Sequence, residues 1–393
     1  MLKRGVVAFF VIALGSLGSG VAAQSFAASP PTVTFTNRWS VNCPACQAPI
    51  VVGSKLFTVD RVGPNGGQAF SSTVRTFNSA TGAVGWTHSL GTVSDSQIDA
   101  VANGVVYLHT RATNGTGHVI ALDATDGRVR WSAVPPGRHG ITGVAIDGAN
   151  VFVVNEGRQV YTTLAVTRYD ATGTLVWTKS AHQSAGTLAL GDGNLYVWST
   201  TLNASDVQHD FLTVYGETDG QSSVVFKAPG APTSAVSKTV YAHGLVYAVE
   251  YTPQEGAGFG TLVIDPTTGA VAWRANGANV LAVGDTVALD GDNHVSSSGG
   301  SQLSGYDATT GARLWGPRAN TGFDPAIVGS TFYTVYNSDF SNKSQVQARS
   351  ITTGMLEGTR VFTNTALEGI TASGIRIYVA TSDQLYALIP HTS

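Results

Sequence analysis

The sequence predicts an all-β protein, an eight-bladed β-propeller of four-stranded antiparallel blades. Three observations predict this fold: a hairpin motif recurs along the chain, successive copies lie 42 to 49 residues apart, and the two ends of the chain carry complementary unpaired strands. A repeat of that length with short strands is typical of a propeller, in which each repeat supplies one blade.

The clearest copy of the motif is Tyr306–Trp315, which reads Y-D-A-T-T-G-A-R-L-W. The glycine permits the positive φ of a tight hairpin, and the preceding aspartate can accept hydrogen bonds from the turn. The tryptophan four residues later is predicted to wedge between neighbouring sheets, stabilising the fold by about 1.5–3 kcal/mol if fully buried. The motif glycines are Gly82, Gly127, Gly173, Gly220, Gly269, Gly311 and Gly354. The tryptophans at the matching strand position are Trp39, Trp86, Trp131, Trp177, Trp273 and Trp315.

Two copies of the motif lack the tryptophan. The fourth copy carries Val224 at that position, and the seventh carries Gly358. We expect Phe226 and Phe362, a few residues further on, to pack these two blades.

The strand ending at Trp39 has no hairpin partner before it, and the strands in 374–390 are not followed by a tryptophan strand. We therefore expect the N-terminal strand to complete the last blade as its outermost strand. Closing the ring in this way removes exposed sheet edges. Seven hairpin motifs and one composite blade give eight blades.

The first residues predict a secretory signal peptide over 1–23. Lys3 and Arg4 precede an apolar run, which ends on the small-residue pattern Val21-Ala22-Ala23. Cleavage after Ala27 and a retained N-terminal anchor helix are the alternatives. Residues 24–32 are predicted to be a linker and 33–393 a single propeller domain. No other stretch is long and apolar enough to cross a membrane.

Composition restricts the choice of partner. The chain has 46 glycines, 25 acidic and 22 basic residues, and removal of Lys3 and Arg4 leaves 20 basic residues and a net charge of −5. That balance disfavours nucleic-acid binding and a polybasic membrane surface. We expect a secreted or otherwise extracytoplasmic monomer.

The two cysteines, Cys43 and Cys46, are spaced as C-P-A-C. In an exported protein this spacing favours a local disulfide, which the loop-closure relation values at about 2 kcal/mol. A thioredoxin-like redox pair is the alternative, but the following Gln47-Ala48-Pro49 and strand provide no helix N-terminus to lower a thiolate pKa.

Connections of unequal length are predicted to gather on one rim of the ring, where function usually concentrates. Five polar residues on the connections after the tryptophans form a candidate ligand site there: Arg138, His139, His182, Arg318 and Asp324. Their convergence would suit an anionic ligand or acid–base chemistry. Scattered surface residues are the alternative interpretation. We predict no metal site.

The repeated Asp-x-x-Thr-Gly-x-x-x-Trp hairpins resemble the repeats of the pyrroloquinoline quinone (PQQ) type, found in quinoprotein dehydrogenases and in the assembly factor BamB and its relatives. The resemblance covers roughly 33–390 and implies an eight-bladed quinoprotein-like propeller. It implies no particular activity. Quinoprotein alcohol dehydrogenases need adjacent cysteines, calcium ligands and a catalytic aspartate, and none of these can be transferred to positions of this chain. BamB-like proteins are typically lipoproteins, whereas this chain has no lipid-attachment cysteine.

These observations favour an exported, non-catalytic scaffold that binds a protein, glycan or cell-envelope partner through the long loops of one rim, without a cofactor. A divergent oxidoreductase that uses PQQ with calcium is the alternative function, with rim Arg and Asp residues as cofactor contacts. A redox partner protein acting through Cys43 and Cys46 is a third hypothesis.

Overall fold

The computed structural model describes residues 32–63, 69–137, 140–156, 163–181, 183–202, 208–228, 238–252, 258–276, 279–291, 302–319, 325–337 and 343–393. Thr32–Ser393 forms one compact unit. The described residues form strands and turns but no helix, so none of them provides a helix that could span a membrane. The signal peptide and almost all of the linker predicted from the sequence lie outside the described residues.

The strands are numbered β1 to β32 in chain order, and the blades are numbered 1 to 8. The first strand and the first three blades are β1 (Val33–Asn42); blade 1, β2 (Ile50–Val52), β3 (Lys55–Val62), β4 (Phe70–Asn78) and β5 (Val84–Val93); blade 2, β6 (Asp95–Ala102), β7 (Val105–Arg111), β8 (Gly117–Asp123) and β9 (Val129–Ala133); and blade 3, β10 (Ile141–Asp147), β11 (Asn150–Glu156), β12 (Leu164–Tyr169) and β13 (Leu175–Ala181).

The next three blades are blade 4, β14 (Ser184–Gly191), β15 (Asn194–Leu202), β16 (Gln208–Gly216) and β17 (Ser222–Lys227); blade 5, β18 (Thr239–Ala242), β19 (Leu245–Thr252), β20 (Gly258–Ile264) and β21 (Val271–Asn276); and blade 6, β22 (Asn279–Val283), β23 (Val287–Gly291), β24 (Gln302–Asp307) and β25 (Arg313–Ala319). The last strands are blade 7, β26 (Ala326–Val328), β27 (Thr331–Asn337), β28 (Lys343–Ser350) and β29 (Leu356–Thr363); and blade 8, β30 (Leu367–Ser373), β31 (Arg376–Thr381) and β32 (Gln384–Thr392).

The described strands form eight four-stranded antiparallel sheets, one for each blade of the ring. In the sheets of blades 1 to 7 the strands follow chain order. The first strands of several neighbouring blades contact one another, as expected at the inner edge of a propeller. The fold predicted from the repeats is confirmed.

Blade 8 is completed by the N-terminal strand. β1 pairs antiparallel with β32 from Val33 opposite Thr392 to Asn42 opposite Gln384, which gives the strand order β1-β32-β31-β30. This pairing is the ring closure expected from the sequence, because blade 8 has no fourth strand of its own at the C-terminal end of the chain. Both ends of the described chain are therefore held in one sheet.

The seven motif glycines all have positive φ, from 66° at Gly220 and Gly354 to 80° at Gly173. The aspartates before them accept turn hydrogen bonds. In blade 6, Asp307 Oδ1 accepts from the backbone N–H of Thr310 at 2.8 Å and of Thr309 at 3.1 Å. These bonds stabilise the ionised carboxyl and lower the pKa of Asp307 to about 2.

Each of the six motif tryptophans packs onto the hairpin of the next blade. The indole lies against the next motif glycine, and its Nε1 donates to a carbonyl of that hairpin. At Gly82, for example, an added Cβ would lie 2.8 Å from the Trp39 ring. The donor and acceptor pairs are Trp39 to Ser79 (3.2 Å), Trp86 to Ala124 (3.1 Å), Trp131 to Ala171 (3.1 Å), Trp177 to Glu217 (3.1 Å), Trp273 to Ala308 (3.2 Å) and Trp315 to Ile351 (2.8 Å).

The interface between blades 4 and 5, where Val224 replaces the tryptophan, is packed by a different indole. Trp198 on β15 is fully buried and stacks on Phe226, with 6.0 Å between the ring centroids. The backbone carbonyl of Val225, rather than an indole, lies where a Cβ on Gly269 would be. Phe226 is partly buried in this core, together with an aromatic side chain that the repeat did not predict.

The interface between blades 7 and 8 lacks the tryptophan for another reason. The backbone carbonyl of Val33 on β1 lies where a Cβ on Gly358 would be, so glycine permits the closing strand to approach β29. Phe362 is 6% exposed in the core of this interface and makes an edge contact with Tyr386 at 5.1 Å. The glycine thus serves ring closure.

Candidate functional site

The connections between strands fall on two rims. The hairpin rim contains the turns between first and second strands and the motif hairpins between third and fourth strands. The loop rim contains the connections from second to third strands and from each blade to the next. Hairpin-rim connections are uniform, with two or three residues in the first class and five or six in the second. Loop-rim connections range from one residue to eleven.

Of the five predicted rim residues, Arg138, His139, His182 and Asp324 lie outside the described residues. Arg318 is on β25, is exposed, and pairs with Leu303 across the sheet. Burial of the Arg349 guanidinium in blade 7 lowers the pKa of that group, and the charge of Arg318 lowers it further. The convergence of the five residues therefore stays a prediction.

Cys43 and Cys46 form a disulfide on the connection from β1 to β2, with 5.6 Å between their Cα atoms. Both residues are fully buried in an apolar core that includes Leu56 from blade 1 and Tyr378 and Leu385 from blade 8. The disulfide predicted from the spacing is present in the structure. Its burial argues against redox exchange, which requires access to the sulfur atoms.

Backbone hydrogen bonds attach this disulfide loop to both neighbouring blades. Toward blade 8, Cys43 N–H donates to Asp383 O at 2.9 Å and Ala45 N–H to Ser382 O at 2.8 Å. Toward blade 1, Gln47 N–H donates to Val59 O at 2.9 Å and Arg61 N–H to Ala45 O at 3.2 Å. We call residues 43–47 the clasp, because they join the first complete blade to the composite blade.

An ion pair joins blades 1 and 2 beside the clasp. Arg61 Nη2 lies 2.5 Å from Asp95 Oδ1, and Arg61 Nε donates to Ser96 O at 3.1 Å. Gln47 Nε2 donates to the same Ser96 carbonyl at 3.2 Å. Two side chains from blade 1 and its connection therefore fix the start of β6.

A second charged pair is buried at the loop-rim end of blade 2. His109 Nδ1 lies 2.9 and 3.0 Å from the two carboxyl oxygens of Asp99, and both side chains are less than a tenth exposed. Burial raises the pKa of Asp99, while the pKa of His109 is raised by the charges of Asp99 and Asp95 against the effects of burial and Arg61. Strand alternation in the sequence does not reveal this pair, because Asp99 is inserted by a register shift in β6 between Ile98 and Ala100.

Polar side chains near the ends of other second strands hold the loop-rim connections. Asn155 Nδ2 donates to Pro136 O at 2.8 Å, and Ser199 Oγ donates to Gln183 Oε1 at 2.7 Å. Asn337 exchanges two hydrogen bonds of 2.9 Å with the backbone of Leu367. The strand-proximal parts of this rim are therefore held by specific hydrogen bonds.

The positions of the tryptophans, the cysteines and the acidic residues bear on a PQQ and calcium site. The six motif tryptophans lie on fourth strands and Trp198 on a second strand, so none occurs on the first strands that line the centre. The cysteines are in the buried clasp rather than beside a cofactor cavity. In the part of the chain that the structure describes, no three His, Cys, Asp or Glu residues are grouped closely enough to hold a metal ion.

Solved structures share the propeller at low sequence identity. The computationally designed Ika8 protein aligns with a TM-score of 0.63 at 16% identity, covering 88% of this chain and 96% of the designed chain. BamB from Moraxella catarrhalis aligns with a TM-score of 0.57 at 15% identity, covering 91% and 100%. The quinohemoprotein alcohol dehydrogenase ADHIIG from Pseudomonas putida aligns with a TM-score of 0.56 at 13% identity, covering 90% and 76%. These likenesses show the fold alone.

Sequence comparison gives the family. A search of curated proteins found no significant match. The sequence profile of the family described as "Outer membrane protein assembly factor BamB" matches residues 71–251 and 258–391. These two segments contain all seven motif hairpins and extend into the composite blade, so the chain belongs to the BamB family of PQQ-type repeat propellers.

Proposed function

We propose that this protein is an exported, non-catalytic scaffold that binds a protein partner in the cell envelope through its loop rim. The observation that carries the proposal is the difference between the rims. The hairpin rim is uniform, whereas the loop rim carries connections of variable length on polar anchors held by specific hydrogen bonds. Variable loops on a rigid ring are suited to recognition.

Family membership supports a protein partner. The family is described as an assembly factor for outer membrane proteins, and a BamB structure shares the fold. The charged start, apolar run and small-residue end of residues 1–23 support export. Glycan recognition by the same rim would be an outcome of the test rather than a separate function.

Likeness to a quinohemoprotein alcohol dehydrogenase supports the alternative, a divergent PQQ-dependent oxidoreductase. Among the described residues, no tryptophan lies on a first strand and no three His, Cys, Asp or Glu residues are grouped closely enough to hold a metal ion. Titration of the mature protein with PQQ, with and without calcium, separates the two functions. The scaffold predicts no saturable rise in melting temperature, whereas calcium-dependent binding to the native state would raise it.

Site-directed labelling tests the partner-binding function. A single cysteine is introduced at Gln97 on the loop rim or at Asp285 on the hairpin rim, both exposed, and is coupled to a bulky maleimide. The buried clasp disulfide does not compete for the label. We expect the label at residue 97 to abolish co-purification of envelope partners and the label at residue 285 to leave it intact. Equal retention of partners by both labelled proteins would contradict the proposal.

A further inference from the structure

We propose that a pocket at the inner end of the loop rim binds an arginine side chain of the partner protein. This inference rests on the proposed function and identifies the chemistry of one contact. The pocket has a volume of about 250 Å³ and is lined by Gln47, Ala48, Thr58, Val59, Gln97, Ile98 and Glu368. These residues come from blades 8, 1 and 2, where the first strands begin.

The walls of the pocket are fixed by hydrogen bonds. Thr58 Oγ1 donates to Gln47 O at 2.7 Å, and Gln47 N–H donates to Val59 O at 2.9 Å. Gln47 Nε2 and Arg61 Nε both donate to Ser96 O, one residue before Gln97. Because the walls are already ordered, a ligand would lose little free energy in organising them.

A β-bulge places Glu368 at this pocket. The register of β30 against β31 shifts between Leu367 and Gly369, so Glu368 is the inserted residue. Gly369 packs closely against Ala48, since an added Cβ would lie 2.5 Å from the Ala48 Cβ. Bulges of this kind turn a side chain out of the normal strand alternation. The inserted side chain here is an exposed carboxylate that lines the pocket.

Glu368 differs from the other carboxylates of this sector in having neither a charged nor a hydroxyl partner among the described residues. Among the described residues it makes no hydrogen bond or ion pair. The neighbouring carboxylates have partners, which are Arg75 for Asp60 at 2.5 Å, Arg61 for Asp95 at 2.5 Å, His109 for Asp99 at 2.9 Å, and the hydroxyls of Thr365 and Thr381 for Asp383, both at 2.9 Å. A cationic ligand would balance the charge of the Glu368 carboxylate and donate hydrogen bonds to it.

Size and donor pattern favour one arginine head group. A volume of about 250 Å³ is below the range of about 300–1,000 Å³ that small-molecule sites occupy, so a single side chain fits better than a cofactor. The pocket offers a carboxylate and two glutamine amides. Guanidinium has five N–H donors in a planar fork and can bond to several such oxygens together, whereas ammonium is a compact point charge.

The probe is N-acetyl-arginine amide, titrated into isotope-labelled full-length mature protein and followed by NMR, with N-acetyl-lysine amide as the second probe. We expect saturable binding of the arginine probe and weaker binding of the lysine probe. Glu368→Gln keeps the side-chain shape and should weaken arginine binding about tenfold, because a charge-assisted hydrogen bond is lost. Asp285→Asn makes the same charge change on the hairpin rim and should have no effect.

Equal binding of arginine by the wild type and Glu368→Gln, or no saturable binding, would overturn the inference. Stronger binding of lysine than of arginine would also overturn it, since the guanidinium geometry would then be irrelevant. Partner capture by the labelled variants is measured separately. If capture still depends on residue 97 while the arginine probe fails, only this inference is lost; if capture fails as well, the proposed function is lost with it.

Discussion

The two rims of the propeller are made from the same repeats but follow different rules. The hairpin rim repeats one arrangement, in which a glycine with positive φ receives the indole of the preceding blade at most interfaces. The loop rim has no contact that recurs in every blade. Its described polar groups form ion pairs and hydrogen bonds whose residue types differ from blade to blade. Stability is therefore concentrated at the hairpin rim and between blades, while the loop rim is free to diversify for binding.

The largest expected effect comes from removing a motif tryptophan. Trp315→Ala deletes an indole that is 7% exposed, stacks on Phe332 at 5.9 Å and donates to Ile351 O. We expect the free energy of unfolding to fall by about 3–5 kcal/mol in chemical denaturation. Leu314→Ala, at the adjacent residue with 47% exposure, is the control and should change it by less than about 0.5 kcal/mol. Similar losses in the two variants would contradict the role of the indole.

The second effect concerns the clasp. Replacing Cys43 and Cys46 by alanine removes a short disulfide loop that joins blades 8 and 1. We expect a loss of about 2 kcal/mol, because the closed loop is small. Denaturation of the wild type with and without a reductant is the control for the substitutions. Equal stability of the oxidised and reduced wild type would contradict a stabilising role of the disulfide.

The third effect depends on pH. The charges of Asp99 and Asp95 raise the folded-state pKa of His109 despite its burial, so just above the ordinary histidine pKa the folded protein holds more of this proton than the unfolded chain. The contribution of His109 is fully present below the ordinary histidine pKa of about 6.5 and is lost as pH rises through the raised folded value.

The melting temperature should therefore fall more steeply above neutrality in the wild type than in His109→Gln. His391→Gln, at an exposed residue of β32, is the matched control and should follow the wild-type profile. Parallel profiles for the wild type and His109→Gln would show that the buried pair does not take up protons on folding.

The smallest effect on stability is expected on the loop rim. Gln97→Ala changes an exposed residue and should alter the free energy of unfolding by less than about 0.5 kcal/mol. The same substitution should reduce partner capture, because Gln97 lines the pocket beside Glu368. Unchanged capture at full stability would remove Gln97 from the binding surface.

The sequence predicted the fold well because the repeat is local. Each hairpin carries its own turn glycine and tryptophan, and the missing fourth strand of the last blade matched the extra strand at the N-terminus. The pairing of Cys43 with Cys46 could be predicted for the same reason, because the two cysteines have a sequence separation of three.

The site was less predictable because its contacts depend on register. Asp99 and Glu368 are inserted by bulges in β6 and β30, and strand alternation in the sequence does not show which residue is inserted. Trp198 carries no motif signature, and its partnership with Phe226 depends on the sheet pairing within blade 4. Gly358 occupies the position of a motif tryptophan in the sequence. The structure shows that a glycine is required there because the backbone of Val33 on β1 lies against it.

The most direct test of the division between rims is a photocrosslinking scan in the native host. A photoreactive phenylalanine analogue is placed at exposed residues 97 and 368 on the loop rim and at exposed residues 125 and 285 on the hairpin rim. We expect a discrete crosslinked protein partner from the loop-rim positions and only background from the hairpin-rim positions. Crosslinks of equal yield from both rims, or from the hairpin rim alone, would contradict it.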